Sequence, residues 1–341
     1  MLVFAVRLPQ VYITKGYYML ATIKKAIKKI PAIKNLLDQK DALLAEITRK
    51  EAIIDQLLAV KTPALFVPIG HFYSPLPSME EAIRDIPSVF GRVLRSLPGI
   101  DMREKEQFSF LEKCIPLYRE MPFKATKTDG LRYYFENPAY SYSDAIFLYC
   151  MLRTAQPKRI IEVGSGFSSC AMLDTNELFF KNSIETTFIE PYPELLNSLL
   201  KESDKHQTKI ISVRLQDVEL DEFDKLKEND ILFIDSTHVS KFNSDVNSVL
   251  FNILPRLAPG VLVHFHDIFF PFEYIREWIL EGRAWNESYL LRAFLQYNKN
   301  FEIVLMNTYM EQFHEDFFVA NMPLCLKNKG GSIWLRKTNP L

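Results

Sequence analysis

From Arg159 to the C-terminus, short apolar runs alternate with amphipathic stretches. "RIIEV" (159–163) reads as a strand and "FSSCAMLDTNELFF" as a helix; "TTFIE" (186–190) is a strand and "PELLNSLLKES" a helix. The pattern continues through "KIISVRL", the short helical "DEFDKL", "DILFID" (230–235), the helical "VNSVLFNILPRL" and a fifth strand, "GVLVHFHD" (260–267). Apolar strands alternating with helices predict a parallel sheet covered on both faces. Two later strands, "FEIVLMN" (301–307) and "SIWLRK" (332–337), lie far apart in sequence and suit an antiparallel pair at the sheet's edge. The expected architecture is α/β: a doubly wound, mostly parallel seven-stranded sheet with an antiparallel edge strand, preceded by an α-helical N-terminal region.

Upstream, the apolar positions take helical spacing. In "MLATIKKAIKKI", Leu20, Ile23, Ile27 and Ile30 share a face opposite the lysines, and the chain up to Leu37 holds seven Lys or Arg and no acid. Such a basic amphipathic helix suits either an anionic membrane surface or the protein's own next helix. Met19 is a second candidate start, which would leave residues 1–18 as a leader. From Ile33 to about Ala59, Ile33, Leu37, Leu44, Ile47, Ile54 and Leu58 follow heptad positions, with Lys40 and Glu51 as polar interruptions. This short seam predicts either a homodimer or a helix folded back on the domain. Pro63, Pro68, Pro75 and Pro77 punctuate an extended connector. Helices follow near 79–96 and 104–120, then a loop, then a helix opening near Ser143 with Ser141 or Ser143 as its N-cap. The expected domains are 1–60 (helices), 61–140 (a helical and loop extension) and 141–341 (the cofactor-binding domain).

Composition narrows the class. A net charge of −1 gives no bulk field for nucleic acid, and no nucleic-acid partner is expected. No run approaches the roughly 18 apolar residues of a membrane span. "MLVFAV" is too short for a secretory signal and no cleavage site follows it. Cys114, Cys150, Cys170 and Cys325 form no CxxC pair and no metal-ligand spacing, which suits a reducing compartment. The expected location is cytoplasmic, with membrane association through the basic helix as a variant.

The chemistry begins at "RIIEVGSGFSSC" (159–170). A glycine loop directly after a strand brings backbone amides close to a ligand, at the sheet edge where doubly wound folds bind. A dinucleotide fingerprint would place a third glycine at position 169, where Ser169 stands. Glu162, two residues before Gly164, would repel a pyrophosphate and attract a cation. S-adenosylmethionine (SAM) carries an ammonium group and no phosphate, so Gly164, Ser165, Gly166, Ser168 and Ser169 are expected around it. Glu190 ends the second strand, where a carboxylate accepts both ribose hydroxyls. Asp217 follows the third, where it and the Val218 amide can read an adenine edge.

"EVGSG", "FIEP" and "LQDV" resemble the motifs of class I SAM-dependent methyltransferases, over about residues 140–337. "GHFYSPLPS", "FENPAYSYSDA", "FIDSTHVSK" and "GRAWNESYLLRAFLQYN" resemble a bacterial group associated with surface-polysaccharide or glycan modification, extending the match to about 65–337. The resemblance implies a Rossmann-like fold, SAM as cofactor with Asp235 beside it, methyl transfer as the activity, and a small-molecule or glycan acceptor.

Methyl transfer to a hydroxyl requires alignment and removal of a proton. Two segments at the ends of strands four and five carry suitable groups: Asp235-Ser-Thr-His238 and His264-Phe-His266-Asp267, with three of the six histidines. In one role, His266 or His238 is a general base oriented by Asp235 or Asp267. In the other, Asp235, His238, His266 and Asp267 hold a divalent metal (Mg, Mn, Fe or Zn) that lowers the hydroxyl's pKa. The second resembles catechol O-methyltransferase, except that Ile268 follows Asp267 where that enzyme has an Asp-Asn pair. His264, a pleat deeper than His266, is expected in the core; His71 and His314 are expected to be structural or on the surface. Tyr140, Tyr142 and Ser143 precede the helix entering the cofactor site, and Tyr274, Arg276, Trp285, Asn286 and Tyr289 suit a polar ring such as a sugar. The function expected is SAM-dependent O-methylation. The alternatives are an NAD-dependent sugar-modifying oxidoreductase and a non-catalytic scaffold.

Overall fold

The computed structural model describes residues 30–59, 66–91 and 94–339. The chain divides into two compact units, Met1–Pro68 and Ile69–Leu341. In the first, the heptad stretch forms one 29-residue helix, α1 (Pro31–Ala59), with Leu36, Leu43, Leu44 and Ile47 exposed. Met19 and the face of Leu20, Ile23 and Ile27 lie outside the described residues.

Three helices open the second unit: α2 (Met79–Phe90), α3 (Glu104–Glu120) and α4 (Tyr142–Ala155). Helix α2 starts at a capping box, in which the Glu81 amide donates to Ser78 Oγ at 3.1 Å and the Ser78 amide to Glu81 Oε2 at 3.2 Å. It stops at Phe90, short of the residue 96 that the spacing predicts. Ser141 stands at the N-cap of α4 without capping it, since its hydroxyl donates to the Phe135 carbonyl at 2.7 Å.

Seven strands form one sheet: β1 (Arg159–Val163), β2 (Glu185–Ile189), β3 (Thr208–Ile211), β4 (Ile231–Ile234), β5 (Leu262–His266), β6 (Phe301–Met306) and β7 (Ser332–Lys337). Their order is β3-β2-β1-β4-β5-β7-β6. β1 to β5 pair in parallel, while β7 lies antiparallel between β5 and β6. The two late strands therefore close one side as the antiparallel pair, with β7 the inner member. β4 and all of β5 are buried, because helices cover both faces; continuous apolar runs follow from that. The strand order reverses between β1 and β4, which opens a crevice at their carboxyl ends.

The loop before α4 is pinned to the following helix, α5 (Phe167–Phe180), by a buried ion cluster. Arg132, 5 % exposed, bonds Asp174 at 2.7 Å through one nitrogen and Asp204 at 2.7 Å through another. The amides of Arg132 and Tyr133 also donate to Asp174, at 2.9 and 2.8 Å. The cluster ties this loop to α5 and to Asp204.

Candidate active site

At the switch point, the chain leaves β1 through Gly164, whose φ is +81°. A Cβ there would stand 1.7 Å from the Asp235 carbonyl oxygen, so only glycine fits. The loop is thereby pressed against the end of β4. The Ser165 amide donates to Glu190 Oε2 at 3.2 Å, and the Tyr192 amide to Oε1 at 2.9 Å. Each Glu190 oxygen keeps a second lone pair for a ligand hydroxyl.

Glu162 takes a different place from the one its charge suggests. It is fully buried and accepts the hydroxyls of Ser168, at 2.5 Å, and of Ser169. Ser169 Oγ in turn accepts the Gly166 amide at 3.0 Å. Burial pushes the Glu162 carboxyl up to about 8. It braces the loop from beneath. At the third strand, Asp217 is exposed and paired with Arg214 at 2.8 Å, and the Val218 amide already donates to the Leu215 carbonyl at 3.1 Å. The adenine-edge contact expected of these two is not preformed.

Beside the glycine loop, Asp235, His238 and Asp267 converge, with one potential ligand atom from each lying within 4.8 Å of the others. His238 Nε2 is 3.7 Å from Asp235 Oδ1 and 3.4 Å from Asp267 Oδ2. His238 and Asp267 both have left-handed backbones, with φ of +58° and +56°. Such conformations cost about 1–3 kcal/mol each and gather at functional sites. The surroundings impose that of His238: its carbonyl accepts the amides of Asn286 and Glu287 at 3.0 and 3.1 Å, and Asp245 holds Thr237 at 2.7 Å.

His266 stands beside this trio, with its Nδ1 3.6 Å from Asp267 Oδ1. Its Nδ1 lies 3.1 Å from Asp235 Oδ1 and its Nε2 3.5 Å from Asp144 Oδ2, so both ring nitrogens face carboxylates. Burial opposes its charge, but Asp235, Asp267 and Asp144 together raise its pKa well above the ordinary value. Burial likewise opposes ionisation of Asp235, yet His266 and His238 bring that carboxyl below its usual range. His264 is a core residue, stacked on Phe233 with ring centres 3.8 Å apart, and burial drives its pKa well down.

Two acids that touch this cluster were not singled out in the sequence reading. Glu287 opens helix α9 (Glu287–Leu295), with helices over 245–256 (α7) and Arg276–Leu280 (α8) before it and Glu194–Leu199 (α6) earlier still. It is 1 % exposed, and its Oε2 stands 2.9 Å from His238 Nδ1. Asp144, in the first turn of α4, accepts the Gly331 amide at 3.3 Å, Asn307 Nδ2 at 3.2 Å and the Ser332 hydroxyl. Acids in a helix's first turn look like dipole partners in sequence, which hides both. Of the aromatic and polar candidates, Asn286 holds the Ser240 amide at 2.6 Å. Trp285 packs on His238, Tyr140 lies beside His266, and Arg276 is exposed. Tyr142 donates to Glu136 at 3.1 Å. Ser143 bonds Glu311 on helix α10 (Asn307–Phe313).

Residues 161–268 match the model of a family described as a methyltransferase domain. Fold, glycine loop and matched segment together define a methyl-transferring enzyme. A protein of Archaeoglobus fulgidus, itself uncharacterized, is 34% identical over 167 residues, which is 48% of this chain and 74% of that protein; the chain belongs to one family with it. Among solved structures, the O-methyltransferase TomG of Streptomyces achromogenes is similar at 16% identity and a TM-score of 0.39, over 77% of this chain and 100% of that one. An O-methyltransferase of Bacillus cereus is similar at 13% identity and a TM-score of 0.37, over 67% and 91%. Likenesses this loose carry no argument about activity. The NAD-dependent alternative finds no support in these matches.

Proposed function

We propose that the protein is a SAM-dependent O-methyltransferase whose acceptor is a small polar or glycan-like molecule, with a divalent cation at Asp235, His238 and Asp267. The observation that carries this reading is that the glycine loop and the three converging side chains meet at Asp235. Gly164 packs on its backbone, while its carboxylate stands beside His238. When bound, SAM supplies an electrophilic methyl group, and the cation a Lewis acid that lowers the pKa of a nearby hydroxyl.

The chain's own residues then have definite tasks. The Gly164–Gly166 loop and Glu190 hold the nucleoside and amino-acid parts. Glu287 accepts the proton on His238 Nδ1, which leaves the Nε2 lone pair facing Asp235 and Asp267. A lone pair aimed at two carboxylates is stable only with a positive charge among them, and one nitrogen with two carboxylates suits manganese, iron or zinc better than magnesium. His266, held between Asp235 and Asp144, keeps a proton on both nitrogens and orients Asp235. The Glu287–His238 pair would also orient His238 as a metal-free general base, which gives the second reading.

Calorimetry with SAM, S-adenosylhomocysteine and NAD, each with and without EDTA, tests both. Heat from the first two ligands alone supports the reading; heat from NAD alone sinks it. Methyl transfer that survives EDTA removes the cation and leaves His238 as base. Membrane contact through the basic stretch and pairing along α1 are further proposals, checked by vesicle flotation and analytical ultracentrifugation. Among the described residues, no helix is long and apolar enough to cross a membrane.

A further inference from the structure

Helix α1 carries an apolar seam with two charges set into it. Positions 33, 37, 40, 44, 47, 51, 54 and 58 follow one another at alternating steps of four and three, the a and d places of a heptad repeat. Six of them are isoleucine or leucine; the other two are Lys40 and Glu51. At the middle of the seam Leu44 and Ile47 are 49 % and 51 % exposed, and Lys40 and Glu51 are exposed as well. Among the described residues neither charge is in an ion pair, whereas Lys50 and Glu46, outside the seam, bond each other at 2.9 Å. Within one helix Lys40 and Glu51 stand about 16 Å apart along the axis, so they cannot reach each other.

A partner for this face must offer a carboxylate to Lys40, a cation to Glu51 and apolar groups between and beyond them. A second copy of α1 running in the opposite direction meets every demand. About a two-fold axis between Ala45 and Glu46, Leu44 falls opposite the partner's Ile47, and Lys40 opposite the partner's Glu51. By register, Leu37 and Ile33 fall opposite positions 54 and 58, an isoleucine and a leucine. The places flanking the seam agree: Lys34 comes beside position 55, an aspartate, and Leu36 beside position 57, a leucine.

A parallel pair reverses these matches. It sets Lys40 against the partner's Lys40 and Glu51 against the partner's Glu51, like charges in a seam that excludes water. It also sets Leu36, 64 % exposed in the single helix, beside the partner's Asp41. Charges placed in a seam select one direction by penalising the other.

We propose that α1 pairs antiparallel with α1 of a second copy, held in register by two Lys40–Glu51 bridges between the copies. This rests on the pairing along α1 named above and adds its direction and register; it is independent of methyl transfer. The two chains leave such a pair at opposite ends.

Sedimentation equilibrium of the full chain should give a dimer. Lys40→Glu and Glu51→Lys should each raise its dissociation constant at least about tenfold, because a like pair replaces each bridge. The two combined should return it to within about threefold of the parent, which separates a broken bridge from a misfolded helix. In a parallel pair all four proteins carry the same number of like-charged layers and sediment alike. A nitroxide on Asn35→Cys, an exposed position near one end of α1, reads the direction. The native cysteines are all buried and stay unlabelled. The two labels should stand more than about 30 Å apart in an antiparallel pair, against less than about 20 Å in a parallel one. A monomer, a trimer or larger assembly, single variants that sediment like the parent, a combined variant that stays dissociated, or a short label distance each overturns the proposal. A short distance leaves pairing along α1 standing without this direction, whereas a monomer removes both. Failure of S-adenosylhomocysteine to bind touches neither.

Discussion

Oε2 of Glu287 lies 2.9 Å from Nδ1 of His238, and both side chains are buried. The pair sets the histidine's tautomer: a proton on Nδ1 for Glu287 leaves Nε2 to face Asp235 and Asp267. Carboxylate–histidine pairs of this kind raise the ligand's basicity and fix its ring. Glu287→Gln should keep the fold but weaken Mn²⁺ binding about 10–100-fold, as read by calorimetry. Unchanged affinity would mean that His238 is not a ligand.

Protons and cation compete for the same nitrogen. Burial opposes protonation of His238, but Glu287, Asp267 and Asp235 lift its pKa above the ordinary value of 6.5. Below that raised pKa the imidazolium excludes a cation, and above it Nε2 is free. Mn²⁺ affinity should therefore climb with pH through the neutral range and then level off, measured on the whole chain. A flat profile argues for an acids-only site.

Gly164→Ala meets two obstacles, a φ of +81° and a Cβ only 1.7 Å from the Asp235 carbonyl. Backbone cannot yield as a flexible side chain does. A loss of at least 2–3 kcal/mol, on the order of strain at such positions, should appear as a lower thermal midpoint, together with loss of S-adenosylhomocysteine binding. A variant of full stability and affinity would contradict the close packing of loop on strand.

Asp144→Asn tests the far side of His266. Asparagine keeps the shape among Ser332, Asn307 and Gly331 but removes the charge beside Nε2. The expected outcome is a kcat lower by about 10-fold, in line with loss of one orienting interaction worth about 1.4 kcal/mol, at unchanged S-adenosylhomocysteine affinity. A raised dissociation constant with kcat intact would place Asp144 in binding instead.

Stability should fall as pH rises from about 5 to 8. Burial pushes Glu311 up to about 8, against an ordinary 4.5. Between those values the unfolded chain ionises while the folded one keeps its proton, so folding is disfavoured progressively; below 4.5 both are protonated and nothing is lost. Glu162, also at about 8, acts in the same direction. Glu311→Gln retains a partner for Ser143 and should flatten part of the slope of thermal midpoint against pH. An identical slope in the variant would locate the titration elsewhere.

The apolar pattern alone determined the strands and their alternation with helices, because periodicity is a local property that burial on two covered faces imposes directly. It also placed Gly164, Glu190, Asp235, His238, His266 and Asp267 at strand ends, where a doubly wound sheet exposes its ligand edge. What only the tertiary structure decided is which polar groups face one another. Glu287 reaches His238 across 49 positions, and Glu311 reaches Ser143 across 168. Asp144 comes to His266 only because α4 packs against the sheet's end and β7 slips between β5 and β6, setting Ser332 opposite His266. Hydrogen-bond partners so far apart leave no period in the chain, and the same acid spells a helix cap or a buried anchor until packing removes the water around it.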